Sequence, residues 1–231
     1  MTRAALRAQA LGQDDAHLIA ESERPAAIAC PVHAGIVEPL LALQAAAREA
    51  GFDVQVVSGW RSFERQAAIW NAKLCGERAV LDDAGCPVTM SALAPLEGVL
   101  AVMRWSALPG ASRHHWGTDI DVVDAAALPA GYRVQLTEAE ARGLCGPLHA
   151  WLDDRIAADQ AFGFYRPYDR DRGGVGPEPW HLSYRPLARD YEAVLTQELL
   201  ASCWQAAALQ AQAVVLANLP ELYRRFVCIP P

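Results

Sequence analysis

Long apolar runs and clusters of basic residues are both missing from this sequence of 231 residues. Because no stretch reaches the roughly 18 consecutive apolar residues that span a bilayer, no transmembrane segment is predicted. Lysine and arginine form no run, and the formal net charge is -7, so a nucleic-acid-binding surface is not indicated. The N-terminal segment is interrupted by Gln13, Asp14 and Asp15 and lacks the apolar core of a signal peptide. A cytoplasmic protein is therefore expected.

Closely spaced cysteine pairs are also absent. No C-x-x-C motif occurs, and a chain of this length needs no disulfide framework, so reduced thiols are expected. A Cys75–Cys86 bridge that closes a short loop is the alternative. The six cysteines are Cys30, Cys75, Cys86, Cys145, Cys203 and Cys228.

Several common catalytic motifs do not occur either. The sequence contains no H-E-x-x-H zinc motif, no G-x-S-x-G nucleophile motif and no glycine-rich phosphate loop. What it does contain is ample material for a core, with 52% hydrophobic residues and a mean hydropathy of +0.05. The composition is that of one globular domain over residues 1–231.

Helical and strand-like patterns alternate along the chain, but the strands are few and short. This arrangement predicts an α+β fold with a small, largely antiparallel sheet flanked by helices, followed by additional C-terminal helices. We expect a core over about residues 31–186 and a helical extension over about 187–231. Periodicity predicts helices at 31–52, 63–74, 93–105, 137–159 and 187–226, and strands at 54–57, 120–124, 161–168 and 180–184.

The segment SRHHWGTDID, residues 112–121, concentrates imidazoles and carboxylates. Asp119 and Asp121 share one face of a strand, because side chains two positions apart point the same way. A turn at Gly117 can bring His114 back beside a carboxylate, which gives nitrogen and oxygen ligands suited to zinc. The alternative is a polar surface turn whose aspartates cap local structure.

A second group is PEPWHLSY, residues 177–184. Glu178 lies between two prolines, so its backbone is expected to be extended and stiff. A carboxylate held three residues from a possible ligand, His181, can act as a general base on water. The alternative is an edge-strand histidine and a solvated loop glutamate.

The third group is SGWRSFERQ, residues 58–66, at a predicted strand-to-helix corner. Arg61 at this corner can point its guanidinium into a cleft, where it can bind a carboxylate or stabilise an oxyanion. A surface ion pair between Arg61 and Glu64 is an equally good interpretation of the sequence alone.

Taken in order, SGWRS…Q, SRHHWGTDID and EPWH resemble the signature blocks of the D-alanyl-D-alanine metallopeptidases, which include vancomycin-resistance D,D-dipeptidases and D,D-carboxypeptidases and some phage endolysins. The family pattern S-x-H-x-x-G-x-x-x-D is filled by Ser112, His114, Gly117 and Asp121, and its E-x-x-H by Glu178 and His181. The resemblance covers residues 58–184 and implies the α+β fold of the hedgehog and D,D-peptidase type.

The resemblance also implies the roles of individual residues. His114, Asp121 and His181 would hold one Zn²⁺ per chain and leave the fourth position open. Glu178 would be the general base, and Arg61 would stabilise the oxyanion. Ser112, Gln66 and Trp180 are the residues expected to contact the substrate.

Asp119 and His115 lie beside the pattern but are not set by it. Asp119 can orient a histidine ligand or replace Asp121 as the ligand, and the spacing favours Asp121. His115 is expected on the cleft wall or behind the ligands.

The function that this resemblance implies is hydrolysis of the terminal peptide bond of D-Ala-D-Ala-type cell-wall peptides. The partner is then a small peptide or a peptidoglycan precursor. A peptidoglycan endopeptidase and a non-catalytic zinc-containing binding module are the alternatives.

Overall fold

The computed structural model describes residues 2–228, in which helices outnumber strands. The strands are β1 (Val54–Ser58), β2 (Asp119–Asp124), β3 (Phe164–Tyr165) and β4 (His181–Tyr184). The helices are α1 (Arg3–Ala10), α2 (Val37–Glu49), α3 (Phe63–Leu74), α4 (Pro95–Met103), α5 (Glu138–Arg142), α6 (Gly146–Ala157), α7 (Arg185–Val194), α8 (Gln197–Ala206), α9 (Gln212–Ala217) and α10 (Leu219–Leu222). Short 3₁₀ turns occur between them, one at Arg113–Trp116, and α10 continues into a π-helical turn, Tyr223–Val227.

The four strands form one sheet in the order β1-β2-β4-β3, and every neighbouring pair is antiparallel. This confirms the predicted α+β class with a small antiparallel sheet. In the register, Asp121 of β2 lies opposite both Ser58 of β1 and His181 of β4. Side chains from three neighbouring strands therefore meet at one point of the sheet.

One face of the sheet is covered by α2 and α6. Ile120 and Val122 on β2 and Leu182 on β4 are fully buried in this cluster, together with Leu40 of α2 and Leu148 of α6. Since strand side chains alternate between faces, burial of Ile120 and Val122 on this side directs Asp119 and Asp121 to the other. Apolar packing thus fixes the direction of both carboxylates.

A second apolar cluster joins the C-terminal helices to α1, α3 and α4. Trp70 of α3 and Trp204 of α8 meet edge to face with ring centroids 5.5 Å apart. Their indole N–H groups donate to the backbone carbonyls of Gln210 and Pro109 at 3.0 and 2.9 Å. The C-terminal helices therefore hold α3 and the segment that leads into residues 112–121.

Some boundaries differ from the sequence-based expectation. Helix α1 was not predicted, and the helix expected over 137–159 is divided into α5 and α6. At the break, Gly143 donates its N–H to the Ala139 carbonyl, and a Cβ at this glycine would lie 2.8 Å from that oxygen. The chain can pass this point because glycine has no side chain there.

The structure gives the pairing state of the cysteines and the lengths of the helices. All six cysteines lie in the described range and are unpaired, so a Cys75–Cys86 bridge is not formed. Within residues 2–228, no helix has the length and apolar content needed to cross a bilayer.

Candidate metal centre and catalytic site

The predicted site residues meet at a cavity of about 440 Å³ on the side of the sheet opposite α2 and α6. It is lined by His114, Asp121 and His181 together with Glu178 and Arg61. The cavity thus contains each residue to which the sequence assigns a metal-binding or catalytic role.

His114, Asp121 and His181 bring one potential ligand atom each to within 4.8 Å of one another. Nε2 of His114 lies 3.3 Å from Asp121 Oδ2, and Nδ1 of His181 lies 3.3 Å from Asp121 Oδ1. All three side chains are buried. Two imidazoles and one carboxylate are a donor set that suits zinc and leaves one position open.

The backbone sets which nitrogen His114 presents. Its Nδ1 donates to the carbonyl oxygen of Gly59 at 2.9 Å, which turns Nε2 toward Asp121. A Cβ on Gly59 would lie 2.4 Å from the Pro31 carbonyl oxygen, so only glycine allows this backbone approach. Gly117, with φ of 65°, ends the turn that carries His114 and is followed closely by β2.

Asp119 sets the orientation of His181. Its Oδ1 lies 3.0 Å from His181 Nε2, so Nδ1 of the same ring faces the cavity. The Asp119 carboxylate also accepts hydrogen bonds from Arg113 Nε at 2.7 Å, Thr118 Oγ1 at 2.8 Å and Ser183 Oγ at 3.1 Å. Asp119 is fully buried behind the imidazole, in the position of an orienting carboxylate rather than of a ligand.

The charges at this point favour ionised carboxylates. Burial alone would raise the pKa of Asp121, but the adjacent His114 and His181 outweigh it and hold the pKa well below its usual range. Burial opposes ionisation of Asp119 as well, and Arg113 and His181 nevertheless lower its pKa to about 2. Metal ligation requires this ionised form of the carboxyl group.

The residues present fit a divalent cation. Asp121 Oδ1 is buried and has no hydrogen-bond partner within the described residues, so one of its lone pairs is unused. Burial disfavours a charged His181, but Asp119, Asp121 and Glu178 raise its pKa well above the usual value. Carboxylates that attract a proton at this point attract a metal ion for the same electrostatic reason.

Glu178 lies beside the ligand trio. Its Oε2 is 3.4 Å from His181 Nδ1, and its backbone N–H donates to the Tyr168 carbonyl at 2.9 Å. The Glu178 carbonyl in turn accepts from His181 N–H at 3.0 Å. These backbone bonds hold a partly exposed carboxylate at the edge of the metal site, where it can exchange a proton with water.

Arg61 does not pair with Glu64. Its Nη1 donates to Gln66 Oε1 at 2.8 Å, and its Nη2 donates to Ser58 Oγ at 3.4 Å. Burial lowers the pKa of its guanidinium, while the charges of Asp121 and Glu178 raise it. The guanidinium therefore has only neutral hydrogen-bond partners and faces the cavity, so it can bind an anionic group there.

The structure places Ser112 and Trp180 on the cavity wall, and it corrects the expectation for Gln66. Gln66 is fully buried behind Arg61, where its side chain bridges Arg61 and the Ala107 carbonyl, so a direct substrate contact is not available to it. His115 lies behind Arg61 and not on the cavity wall, which is the second of the two positions expected for it. It accepts the Gly110 N–H at 3.0 Å and donates from Nδ1 to the Arg61 carbonyl at 2.6 Å.

Three further residues at the site were missed by the sequence analysis: Arg113, Tyr168 and Lys73. Arg113 pairs with Asp119, and its guanidinium lies 4.5 Å from the ring of Trp116. The ring of Tyr168 packs against His181 with centroids 5.0 Å apart. Lys73 lines the cavity from α3. Arg113 occupies the variable position of the S-x-H block, which does not specify an arginine. No motif in the sequence points to Tyr168 or Lys73.

A His-Asp-His ligand set beside the carboxylate of Glu178 and the partly buried Arg61 defines the class: a metal-dependent hydrolase. Comparison with known proteins gives the family. Residues 30–187, more than half of the chain, match the VanY family of D-alanyl-D-alanine carboxypeptidases, so the chain belongs to that family. This confirms the resemblance drawn from the three motif blocks, and with it the assignment as a D-Ala-D-Ala-hydrolysing metallopeptidase.

Individual relatives agree with the family match. An uncharacterized protein of Haemophilus influenzae is 31% identical over 124 residues, which cover 52% of this chain and 92% of that protein. A D-alanyl-D-alanine carboxypeptidase of Enterococcus faecalis is 30% identical over 142 residues, which cover 60% of this chain and 42% of that relative. The chain thus spans less than half of the length of the enterococcal enzyme.

Solved structures share the fold. VanYB in complex with D-alanine-D-alanine superposes with a TM-score of 0.52 at 22% identity, covering 79% of this chain and 84% of that one. The LD-carboxypeptidase LdcB gives a TM-score of 0.51 at 20% identity, covering 91% and 78%. Both likenesses support the α+β architecture.

The Asp119 position leads to a prediction about metal affinity. Asp119→Asn keeps the size of the side chain but removes the charge that orients and polarises His181. We expect the dissociation constant for zinc to rise by about 10–100-fold, the usual effect of losing such a partner. Competition with a chromogenic chelator measures it. The control is Asp124→Asn, a residue on the same strand that does not line the cavity. An unchanged zinc affinity in Asp119→Asn would refute the role of Asp119 in orienting His181.

Proposed function

We propose that this protein is a zinc-dependent carboxypeptidase that removes the terminal D-alanine from peptides ending in D-Ala-D-Ala. The observation that carries the proposal is the convergence of His114, Asp121 and His181, with Glu178 3.4 Å from His181 and Arg61 on the same cavity. Membership of the VanY family supports the choice of substrate.

The three ligand side chains would hold the metal through His114 Nε2, His181 Nδ1 and the carboxylate of Asp121. Zinc bound there supplies Lewis-acid polarisation of the scissile carbonyl and makes water more acidic. The chain prepares this site in advance, because Gly59 and Asp119 hold the two imidazoles in the required orientation.

Glu178 performs the proton transfer. Its carboxylate accepts a proton from the attacking water as the oxygen bonds to the carbonyl carbon. The protonated carboxyl group of Glu178 then donates this proton to the nitrogen of the leaving D-alanine as the C–N bond breaks. The extended segment between Pro177 and Pro179 keeps the carboxylate beside the ligands during both steps.

Arg61 stabilises the negative charge that develops on the carbonyl oxygen. It is partly buried and hydrogen-bonded to Gln66, so its guanidinium is already oriented before substrate binds. A preorganised donor stabilises the charged transition state more strongly than it stabilises the neutral carbonyl.

The test is D-alanine release by purified protein supplied with one equivalent of zinc. A carboxypeptidase releases D-alanine from an N-acylated peptide ending in D-Ala-D-Ala, and a dipeptidase cleaves only the free dipeptide. An endopeptidase would instead cut cross-links in isolated sacculi. Chelator should abolish release and zinc should restore it. Zinc binding without turnover of any of these substrates would indicate a binding module and overturn the proposal.

The compartment stays a prediction. A cytoplasmic enzyme would meet free dipeptide or peptidoglycan precursor rather than cross-linked wall. Fractionation of cells that produce the tagged full-length protein tests this location.

A further inference from the structure

The segment that leads to Glu178 has no regular secondary structure of its own. Residues 169–177 lie between β3 and β4 and contain neither helix nor strand. The segment is closed at its end, because the Glu178 N–H donates to the Tyr168 carbonyl at 2.9 Å. Loops without such ladders open easily unless other parts of the chain hold them. The residues that hold this segment therefore decide how firmly Glu178 is placed.

Arg104, the residue that follows α4, holds the segment at three points. Its Nη1 and Nη2 donate to the two carboxylate oxygens of Asp171 at 3.1 and 2.8 Å, and Nη1 also donates to the Gly174 carbonyl at 3.0 Å. The backbone carbonyl of Arg104 accepts the Gly176 N–H at 2.9 Å. The last of these contacts is separated from Glu178 by Pro177 alone.

The same guanidinium reaches a second loop of the cavity. Its Nε donates to Asp83 Oδ1 at 2.6 Å, and its Nη2 donates to Asp83 Oδ2 at 3.2 Å. Asp83 and Glu178 both line the cavity, whereas Arg104 does not. Arg104 therefore joins two of the segments that surround the cavity without reaching into it.

The geometry distinguishes these contacts from ordinary surface ion pairs. Asp83 and Asp171 are each bound by two N–H groups of Arg104, and such bidentate pairs are the strongest that arginine forms. The Arg104 side chain is only 18% exposed, and its hydrogen bonds lower the pKa of Asp171 below its usual value. Isolated exposed pairs contribute little to stability, but bidentate pairs that form a network are the exception.

The C-terminal extension supplies a second anchor for the same segment. Arg225, in the π-helical turn Tyr223–Val227, donates from Nε and Nη2 to the Gly173 carbonyl at 3.0 and 2.8 Å. A Cβ on Gly174 would overlap the Arg225 backbone carbonyl, so the two segments pack closely. Because the family match ends at residue 187, this anchor comes from outside the matched part of the chain.

From these contacts we propose that Arg104 is a positioning residue for Glu178, with Arg225 as a second anchor of the same segment. Neither arginine lines the cavity, so an effect on the reaction must pass through the segment that they hold. The proposal rests on the proposed carboxypeptidase function and adds the residues that keep its general base in place. A base must stay within hydrogen-bond reach of the water, and a displacement of about 1 Å can cost about 100-fold in rate.

Arg104→Gln tests the positioning role. We expect kcat for D-alanine release to fall by about 10–100-fold, with a smaller change in KM, because the base is displaced while the metal site is intact. Zinc content should stay at one equivalent, since His114, Asp121 and His181 do not contact Arg104. Arg104→Lys should recover only part of the rate, because an ammonium keeps the charge but not the planar fork that binds two carboxylates. Steady-state kinetics and metal analysis of the same preparations measure these effects.

The double variant Arg104→Gln, Glu178→Gln separates positioning of the base from a general loss of structure. If Arg104 acts through Glu178, adding Arg104→Gln to Glu178→Gln should lower the residual rate by less than about twofold, because residues that act as a unit are not additive. An equal loss in both backgrounds would show that Arg104 supports the fold or the metal site instead, and would overturn the proposal.

Amide hydrogen exchange gives a readout that needs no turnover. In the metal-free protein, peptides that cover residues 169–178 should exchange about threefold to tenfold faster in Arg104→Gln than in wild type. Arg225→Gln should have the same effect, because it removes the two hydrogen bonds to the Gly173 carbonyl. Wild-type exchange of this segment in Arg104→Gln would overturn the proposal.

Arg142→Gln is the matched control, because Arg142 also pairs with an acidic residue of the cavity lining, Glu138, at 3.1 Å. It should keep the wild-type kcat and the wild-type exchange of residues 169–178. Absence of D-alanine release from the wild-type protein would overturn the proposed function, and the catalytic role of Arg104 with it. The exchange result and the double variant, in contrast, can overturn the role of Arg104 while the proposed function stands.

Discussion

Glu178→Gln is expected to lower kcat for D-alanine release by about 10²–10⁴-fold, the contribution of a general acid–base residue. Glutamine has nearly the same shape as glutamate and can keep the backbone contacts of the segment, but it cannot accept a proton from water. It cannot return one to the leaving amine either, so both chemical steps lose their proton carrier.

Zinc content should stay at one equivalent in this variant. Glu178 lies 3.4 Å from His181 Nδ1, but the set of three ligands, His114, Asp121 and His181, is complete without it. KM should change little, since the carboxylate acts on the reacting water rather than on the bound peptide. The measurement is steady-state D-alanine release together with metal analysis of the same preparation.

Glu138→Gln provides the control for charge. Glu138 also lines the cavity, but it pairs with Arg142 on the surface and has no contact with the ligand trio. It should retain kcat within about twofold of wild type, because exposed ion pairs contribute little. If Glu178→Gln kept comparable activity, Glu178 would not be the base.

The convergence of His114, Asp121 and His181 could be predicted from the sequence because each lies in a short block with fixed spacing. Alternation along a strand directed Asp121 away from the core, and the structure shows the reason, since Ile120 and Val122 are fully buried on the other face. The pairing of Asp121 with His181 across two strands, however, depends on the antiparallel register of β2 and β4. No local pattern specifies that register.

The choice between Asp121 and Asp119 as ligand shows where sequence reasoning stops. Both carboxylates lie on the same face of β2, and both approach His181. What separates them is the rotation of the His181 ring, which turns Nε2 to Asp119 and Nδ1 to the cavity. That rotation depends on Arg113 and Ser183, which hold Asp119 from behind, and Ser183 is 64 positions away in sequence.

Gln66 was misplaced for a related reason, and His115 was left with two possible positions. Both are polar and lie near motif residues, so the sequence alone does not separate a place on the cavity wall from one in the interior. Each is buried and makes two hydrogen bonds that fix the segment around Arg61. Buried polar groups need such partners, and the partners come from distant backbone that only the folded chain brings near. The cavity position of Lys73 likewise depends on the packing of α3 against residues 105–107.

Arg61→Ala is expected to lower kcat by about 10²–10³-fold, the usual effect of losing one preorganised oxyanion donor. The loss should fall on kcat more than on KM, because the guanidinium binds charge that is present only in the transition state. Arg61→Lys should recover part of the rate, since it keeps the positive charge but not the planar pair of donors that reaches Gln66 and the substrate together.

Folding should not explain this loss. Alanine removes the hydrogen bonds with Gln66 and Ser58, but it also removes a partly buried guanidinium that has no carboxylate within 4 Å in the described chain, and the two effects oppose each other. We therefore expect the free energy of unfolding to change by less than about 1 kcal/mol. Arg65→Ala, four residues along the chain on an exposed face of α3, should leave both kcat and stability unchanged. A fall in kcat that only matched a fall in the folded fraction would show that Arg61 supports the fold instead of the transition state.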